Sequence, residues 1–566
     1  MKQIVLSIAI LSLFIGFNIS NLTAATSKGD TLIIEGAGGG DAPLNEVIAG
    51  DTLEDGSRKH KVYELKRDGW YTLMGSINAG NFNLTIVGEK GSGRRPILVM
   101  GVTETGGAAG WQFFNGGANV TLKSLWFQQM TAIDEGRGAW NHIGGFVNGA
   151  DARFIMDDCI VDYNDGSFIM STSAAGQDYF FTNNLFRWNG PPDNSRWSGF
   201  NIIFKQVDKD TVLYRNCTWI GGTGPIVIWE SSKINFFKMD HCTIVDHCQF
   251  PFRMEYHTHS EFTNNLFVNI HAAGEDSTIR KGQDPDRLPY GVINVDTLGT
   301  DSSFVGWPSE SERVLVVSNV NNYVSPAIKT WWEEAKVTYA ANDFQVADPT
   351  KDDGLLNDRA RAMFDNDATW PGFELSSISS LDPQFVNYPD MSDSLIKWAK
   401  YRQEYALDQN TTEPKSHFNT DPDPTSLRPT AADYYDLRYN NSALLHAGSD
   451  GLPLGDLNWF PEITGIEDRY DTKPDVFTLK QNYPNPFNPN TWIKFNLNKP
   501  VHVELSIYNV LGQKIRTLMD KNMQAGSHSI HWNGLDNRER ALPSGLYFYR
   551  IKAGNKTDSR KMILIK

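Results

Sequence analysis

Cysteine is nearly absent from this chain, with four in 566 residues: Cys159, Cys217, Cys242 and Cys248. So sparse a set excludes a disulfide framework, and stability has to come from packing. Long apolar runs are scarce as well. The single one, at 4–17, follows one basic residue, Lys2, and precedes the small residues Thr23, Ala24 and Ala25. It is shorter than the ~20 residues that a bilayer span needs. The pattern predicts a signal peptide over 1–25, removed on export; the competing readings are an uncleaved anchor and a buried helix. No cysteine follows the run, which argues against a lipoprotein anchor, and nothing similar recurs, so no transmembrane segment is expected in the mature chain. Positive charge is also in deficit, with 52 Lys and Arg against 67 Asp and Glu and a net charge of −15. An acidic body argues against a nucleic-acid partner, because phosphate binding needs a basic surface. It leaves room for an acidic substrate held in a local cationic cleft.

What the chain has in quantity is Trp, Tyr and Phe together with Gly and Asn, a composition suited to an all-β protein with many turns. Its length calls for two or three folding units. Segments 154–160, 179–186, 212–218, 236–243, 261–267 and 315–320 read alike. Aligned on the polar residue before Cys, Leu or Val, they set Asp158, Asn184, Asn216, His241, Asn265 and Asn319 in one column, at steps of 26, 32, 25, 24 and 54 residues. The last step is about two turns, with 291–296 as a strand inside it. The next column holds Cys159, Leu185, Cys217, Cys242 and Leu266, an inward apolar stack. This period, with short alternating strands, predicts a parallel β-solenoid whose turns stack at the ~4.8 Å strand spacing. The asparagines are expected to pass amide hydrogen bonds from turn to turn. A sandwich with chance similarity is the competing fold. Segments 83–88 and 120–125 look like opening turns. Beyond about residue 325 the register fades, 331–335 and 393–405 take helical spacing, and 411–430 reads as loop.

Three stretches carry a resemblance: Asp382-Pro-Gln-Phe-Val-Asn387, Asp436-Leu-Arg-Tyr439 with Ser442, and Gly448-Ser-Asp-Gly-Leu-Pro-Leu-Gly455. They look like the closing segment of bacterial pectate-lyase-like right-handed β-helix proteins. The resemblance implies an all-β fold over 26–461, a right-handed parallel β-helix with a few decorating helices. It is specific for fold and weak for reaction, since that superfamily contains lyases, hydrolases, esterases and binding proteins.

A polar linker at 462–475 leads into a last domain, 476–566, where short alternating strands at 491–497, 502–508, 528–532, 545–552 and 556–565 read as a small β-sandwich. Tyr547, Tyr549 and Ile551 share one face, and Ala553-Gly-Asn555 closes a hairpin. The motifs Tyr483-Pro-Asn-Pro-Phe-Asn488, Val510-Leu-Gly-Gln513, Gly545-Leu-Tyr547 and Lys561-Met-Ile-Leu-Ile-Lys566 closely resemble the type A sorting domain of the type IX secretion system. The resemblance implies outer-membrane passage with that machinery as partner, and release or anchoring at the cell surface. A permanent binding domain of fibronectin type is the alternative.

Insertions at 131–144, 190–198 and 272–289 fall at one place in the turn, and added loops collect on a working side. They flank a strand column containing 146–148, 168–171, 203–206, 227–230, 252–257 and 292–296. In 252–257, Arg253, Glu255 and His257 alternate with apolar residues, which predicts a shared face. Glu230 aligns one turn from Glu255, and Lys205 one turn further. Stacked carboxylates repel unless a cation lies between them, so Glu230 and Glu255 are candidate Ca²⁺ ligands. Lys205, Arg253 and His257 are the candidate proton-transfer groups, and Arg196, Trp197, Arg280, Lys281 and Arg287 the candidate substrate-binding residues. The set is similar in type to β-helical lyases for acidic polysaccharides, and a monomer cleaving uronic-acid polymers outside the cell is the expected function. The rival readings are a surface glycan-binding or adhesive protein, a glycoside hydrolase on the same fold, and a charge ladder that satisfies itself. Asp157, Asp158, Asp162 and Asp165 are expected to be solvated turn residues. A zinc reading of His241, His247, His257, His259 and His271 with Cys242 and Cys248 lacks a recognised spacing. Trp197, Trp229, Trp331 and Trp332 could stack on sugar rings.

Overall fold

The computed structural model describes residues 25–36, 42–54, 57–80, 82–91, 95–101, 109–110, 112–116, 118–128, 152–162, 169–171, 175–189, 202–205, 208–222, 226–230, 233–254, 257–274, 290–295, 297, 308–405, 435–464, 477–479, 482–485, 487–497, 500–509, 514–524, 526–554 and 556–565. The signal-peptide segment before Ala25 lies outside them. Two compact units emerge, Met1–Gly465 and Ile466–Lys566.

In the first unit, short segments with alternating burial pair in parallel with the segment one repeat away. A first ladder runs through Thr31–Ile34, Val62–Leu65, Leu84–Gly88, Val120–Lys123, Arg153–Asp157, Gln177–Thr182, Lys209–Arg215, Ile234–Asp240, His259–Thr263, Val314–Tyr323 and Phe373–Ser379. A second runs through Trp70–Leu73, Ile97–Met100, Trp126–Gln128, Ile160–Asp162, Leu185–Asn189, Thr218–Gly222, Thr243–His247 and Leu266–Ile270, ending on the latter half of Val314–Tyr323. With Ala25–Lys28, which pairs antiparallel with Thr31–Ile34, these two ladders make one mostly parallel sheet of 20 strands. A third, five-stranded ladder is separate: Ile169–Ser171, Ile202–Lys205, Val227–Glu230, Phe252–Met254 and Ile293–Val295.

The pairing follows from what each strand hides. Period two sends Phe154, Tyr179, Val212 and Phe237 into one inward column, and Met156, Phe181, Tyr214, Met239, Phe262 and Val317 into another. Phe181 stacks on Tyr214 with centroids 4.7 Å apart, and Phe186 on Trp219 at 4.9 Å. Each such side chain taken from water contributes roughly 1.5–3 kcal/mol, and a slip of one residue would turn the whole set outward.

The register corrects the expected columns. Asp158, Asn183, Asn216, His241, Asn264 and Asn319 share the corner position, all with φ between 49° and 59°. Asn and Asp tolerate this left-handed backbone better than other side chains. Asn184 and Asn265 therefore fall one place later, in the inward column of Cys159, Cys217 and Cys242. Leu185 and Leu266 move on to pair with Ile160, Thr218 and Thr243. The sequence offers two adjacent asparagines in these coils, and the first takes the strained corner.

After the last coils, Ser325 caps a helix at Pro326–Thr338 by accepting from the Ile328 N–H, with proline fixed in the first turn. Its buried residues Ile328, Trp331, Trp332 and Ala335 join Leu395 and Trp398 of Ser392–Tyr405, packed against Ile220, Val245, Leu266 and Val268. Phe385–Asn387 pairs antiparallel with Asp436–Tyr439, and Gly455 donates its N–H to the Asn264 carbonyl. Residues 382–405 and 435–460 thus seal the outer side of the second ladder.

The second unit has two antiparallel sheets around one apolar cluster. Phe477–Leu479, Thr491–Leu497 and Gly526–Trp532 form one sheet. Lys514–Met523, Val501–Asn509, Gly545–Ala553 and Lys556–Leu564 form the other. Ile493, Phe495, Leu505, Ile507, Trp532, Tyr547, Tyr549, Ile551 and Met562 meet between them. The strand Lys514–Met523 was not among those read from the sequence, because its burial does not alternate cleanly. No helix among the described residues is long and apolar enough to cross a membrane.

Candidate functional site

Strands of the third ladder are short, three or four residues each, and two of them follow the second ladder across an insertion in sequence. Second-ladder strands end at Gln128, Asn189 and Ile270, and the next third-ladder strands begin at Ile202 and Ile293 after the latter two. The excursion carrying the Pro326–Thr338 helix leaves from the same place and returns at Leu356, which bridges Ile293. Loops 131–144, 190–198 and 275–289 themselves lie outside the described residues, and with them Arg196, Trp197, Arg280, Lys281 and Arg287.

Within the ladder, Lys205 stands directly opposite Glu230 on neighbouring parallel strands. Arg253 pairs with Ile228, two positions before Glu230, and with Asn294 on its other side. Lys205 and Glu230 are thus brought together, with Arg253 one strand on and diagonal to Glu230. Glu255 is outside the described residues. Asn294 is buried and turned to the main chain: its amide donates to the Phe252 and Gly291 carbonyls at 2.9 Å each.

His257 does not share the face predicted for Arg253. The strand ends at Met254, and His257 bridges Ile234, the first residue of the first-ladder strand Ile234–Asp240, where it is fully buried. Its Nδ1 accepts from Arg313 Nη2 at 3.1 Å, and Arg313 in turn donates to Glu310 at 2.6 Å. The chain has already passed from one ladder to the next, so alternation cannot run across 252–257. A group so enclosed cannot meet a polymer, and we leave it out of the reacting set.

Two other expectations change. Trp331 and Trp332 are buried and both donate their indole N–H to the Ala272 carbonyl, at 3.2 and 3.1 Å, so neither offers a face to sugar. The acidic turn residues are partnered rather than solvated. Asp157 takes Lys123 at 3.0 Å and Asn183 at 2.8 Å, and Asp158 takes Arg95 and Ser124. Asp162 receives Arg187 through two bonds of 2.8 and 2.6 Å, and Trp126 at 2.8 Å, with all three buried. Asp165 lies outside the described residues, as do the strand at 146–148 and the Trp229 side chain.

The histidines disperse. His241 meets Asp450 at 3.1 Å and the Gly455 carbonyl at 3.3 Å, while His259 meets Glu261 at 2.9 Å. The His259 bond and that from Lys238 hold the Glu261 carboxyl down to about 2. The ring of His247 fills the space beside Gly222, where an added Cβ would sit 2.4 Å from it. Among the described residues no group of three or more His, Cys, Asp or Glu is placed to hold a metal ion.

The sequence analysis missed buried polar residues in the column that opens several first-ladder strands, interrupted by Ile234. Gln177 pairs with Lys209, Lys209 with Ile234, and Ile234 with His257. Burial pushes the Lys209 ammonium down to about 8, and Gln177 Oε1 accepts from it at 3.1 Å. The signal was available: Gln177, Lys209 and His257 each precede a corner residue by six or seven positions.

Taken together, the fold is that of a mostly β chain with a large parallel sheet and a separate antiparallel C-terminal unit. Residues 481–566 match the secretion system C-terminal sorting domain. No curated protein matches the chain. Among solved structures it is similar to dimeric latent PorU from Porphyromonas gingivalis, at 19% identity and a TM-score of 0.15, over 16% of this chain and 9% of that one. It is also similar to PorZ, described as an essential bacterial surface component of the type-IX secretion system of the same organism, at 18% identity and a TM-score of 0.12, over 21% and 14%. The chain spans only those small fractions of either protein, and overlaps so limited carry no argument about its fold. The sorting domain does define a route: the chain carries a C-terminal type IX secretion tail, which points to export and a cell-surface or extracellular location.

Proposed function

We propose that this protein is exported through a signal peptide and the type IX machinery, and that its body is a right-handed parallel β-helix cleaving acidic polysaccharide by β-elimination. The observation supporting the chemistry is the third-ladder register, with Lys205 opposite Glu230 and Arg253 on the next strand. Elimination from a uronic-acid chain removes the proton next to the carboxylate and forms a carbon–carbon double bond. The bond to the leaving sugar oxygen breaks, and that oxygen takes a proton. Lys205, in its ammonium form, would protonate the leaving oxygen. Arg253, as the neutral guanidine, would take the carbon-bound proton as the base. Glu230 and Glu255 are the residues that would hold Ca²⁺. When bound, that ion would neutralise the substrate carboxylate and ease loss of the adjacent proton. The Lys205–Glu230 pairing fits a single shared cation less well than two bare carboxylates would, so chelator dependence is a separate question from cleavage. Arg196, Arg280, Lys281 and Arg287 would steer the anionic chain and Trp197 would meet a sugar face.

The test is the ultraviolet absorbance of unsaturated uronate on incubation with pectate, alginate and glycosaminoglycans, with and without chelator. Product is expected from one polymer class, with a fall of ~10²–10⁴-fold in Lys205→Ala and in Arg253→Ala. Full activity in both variants would remove the assignment. New reducing ends without unsaturation would make the protein a hydrolase, and retention of a polymer without cleavage would make it a glycan binder.

A further inference from the structure

Two large aromatic side chains of the second unit stand in solvent although the core beside them is closed. Tyr483 is 77% exposed and Trp492 48%, while Phe487, Phe495, Trp532, Tyr547 and Tyr549 are buried. The pair is built, not loose. Tyr483 and Trp492 exchange main-chain N–H to carbonyl hydrogen bonds of 2.9 Å in both directions, which sets them side by side. Across the sheet Trp492 lies opposite His531, with ring centroids 4.9 Å apart. Alternation explains the facing: Ile493 and Phe495 are buried and Trp492 and Lys494 are exposed, just as Trp532 is buried and His531 exposed. The outer side of this three-stranded sheet therefore carries a Tyr–Trp–His row edged by Lys494, which the core does not require. Exposed Trp and Tyr in a contiguous patch mark interaction surfaces, and these residue types dominate binding hot spots.

Charge narrows the partner. Residues 477–566 hold fourteen Lys and Arg against five Asp and Glu, whereas the rest of the chain holds 38 against 62. A basic domain favours an acidic partner, and an acidic partner in turn repels the acidic body that the domain delivers. The ring planes narrow it further. Trp492 and His531 meet at 57°, a ridge suited to insertion into a pocket rather than a flat platform for sugar rings.

We propose that the Tyr483–Trp492–His531 row is the surface by which the sorting domain docks into an acid-rimmed, aromatic-accepting pocket on a protein of the export machinery. This rests on the type IX export reading, and the experiment separates the two. Full-length chain is produced in a type IX-competent host, and cell-surface, medium and periplasmic fractions are quantified. Tyr483→Ala with Trp492→Ala is expected to lower surface and medium protein ~10-fold or more, with protease-resistant chain accumulating in the periplasm. Trp492→Phe is expected to stay within about twofold. Lys494→Glu, a surface change that leaves the core alone, is expected to reduce export in the same direction, which keeps the proposal open to refutation should the double variant misfold. Wild-type export of the double variant or of Lys494→Glu would overturn the docking surface, including a case where only glycan retention is lost. Normal export of a chain lacking residues 477–566 would overturn the export reading instead.

Discussion

Asn184 and Asn265 show how single side chains hold adjacent coils together. Asn265 accepts from the Cys242 N–H at 2.8 Å and donates to the Met239 carbonyl at 3.0 Å. Asn184 does the same for Cys159 and Met156, at 2.9 Å each. Each supplies partners to two buried main-chain groups of the preceding coil, which would otherwise be left dry. Asn265→Ala is expected to cost about 2–4 kcal/mol in urea unfolding, one unsatisfied donor plus one acceptor; a change below the usual surface-substitution range would contradict this role. Arg187→Met should be as costly, about 3–5 kcal/mol, because it leaves the buried Asp162 carboxylate without its guanidinium. At this scale the sequence was legible in type and ambiguous in register. The recurring polar residue before Cys, Leu or Val announced the repeat. Which of two neighbouring asparagines turns left-handed depends on backbone strain that composition does not display. The amide-to-amide ladder expected of the column is only partly present: Asn216 reaches Asn183 at 3.4 Å, whereas Asn183 and Asn264 donate instead to Asp157 and Asp240.

Among elements, the closing segment carries the most consequence, because it is fastened through buried carboxyls. Burial pushes Asp246 up to about 7, against the pull of hydrogen bonds from Tyr388 at 2.6 Å and Asn269 at 2.9 Å. Burial likewise pushes Asp456 up to about 6, with the Thr218 hydroxyl donating to it at 2.7 Å. Both carboxyls keep their protons in the folded chain at pH values where the unfolded chain has lost them. The fold thus binds more protons between about pH 4 and 7. The stabilisation is complete below about pH 4 and is lost as pH rises through about 6 and then 7. The Tm should fall across that window, and Asp246→Asn should flatten the fall; a Tm rising from pH 4 to 7 by the same amount in both proteins would contradict the assignment. The helices around Trp331 and at 393–405 were readable from spacing, since a 3.6-residue period survives any tertiary context. The boundary between Met254 and His257 was not, because alternation looks the same on either side of a bend.

For the whole molecule, two compact units whose apolar clusters each lie within one unit predict two calorimetric transitions. Asn265→Ala should lower only the transition of the first unit; a single transition shifted as one would contradict independent cores. The export route was the most legible feature of the chain, because a sorting tail is read through short motifs that stay contiguous in sequence. The chemistry of the body was the least legible, because its candidate groups come from strands about 25 residues apart and from insertions that share no repeat. That spacing also makes the account testable at its root. Lys205→Cys with Glu230→Cys should join rapidly within one molecule through a thiol crosslinker matched to the ~4.8 Å strand spacing, while Lys205→Cys with Lys233→Cys should not. Equal joining of both pairs, or of neither, would mean that neighbouring coils do not bring positions 205 and 230 side by side.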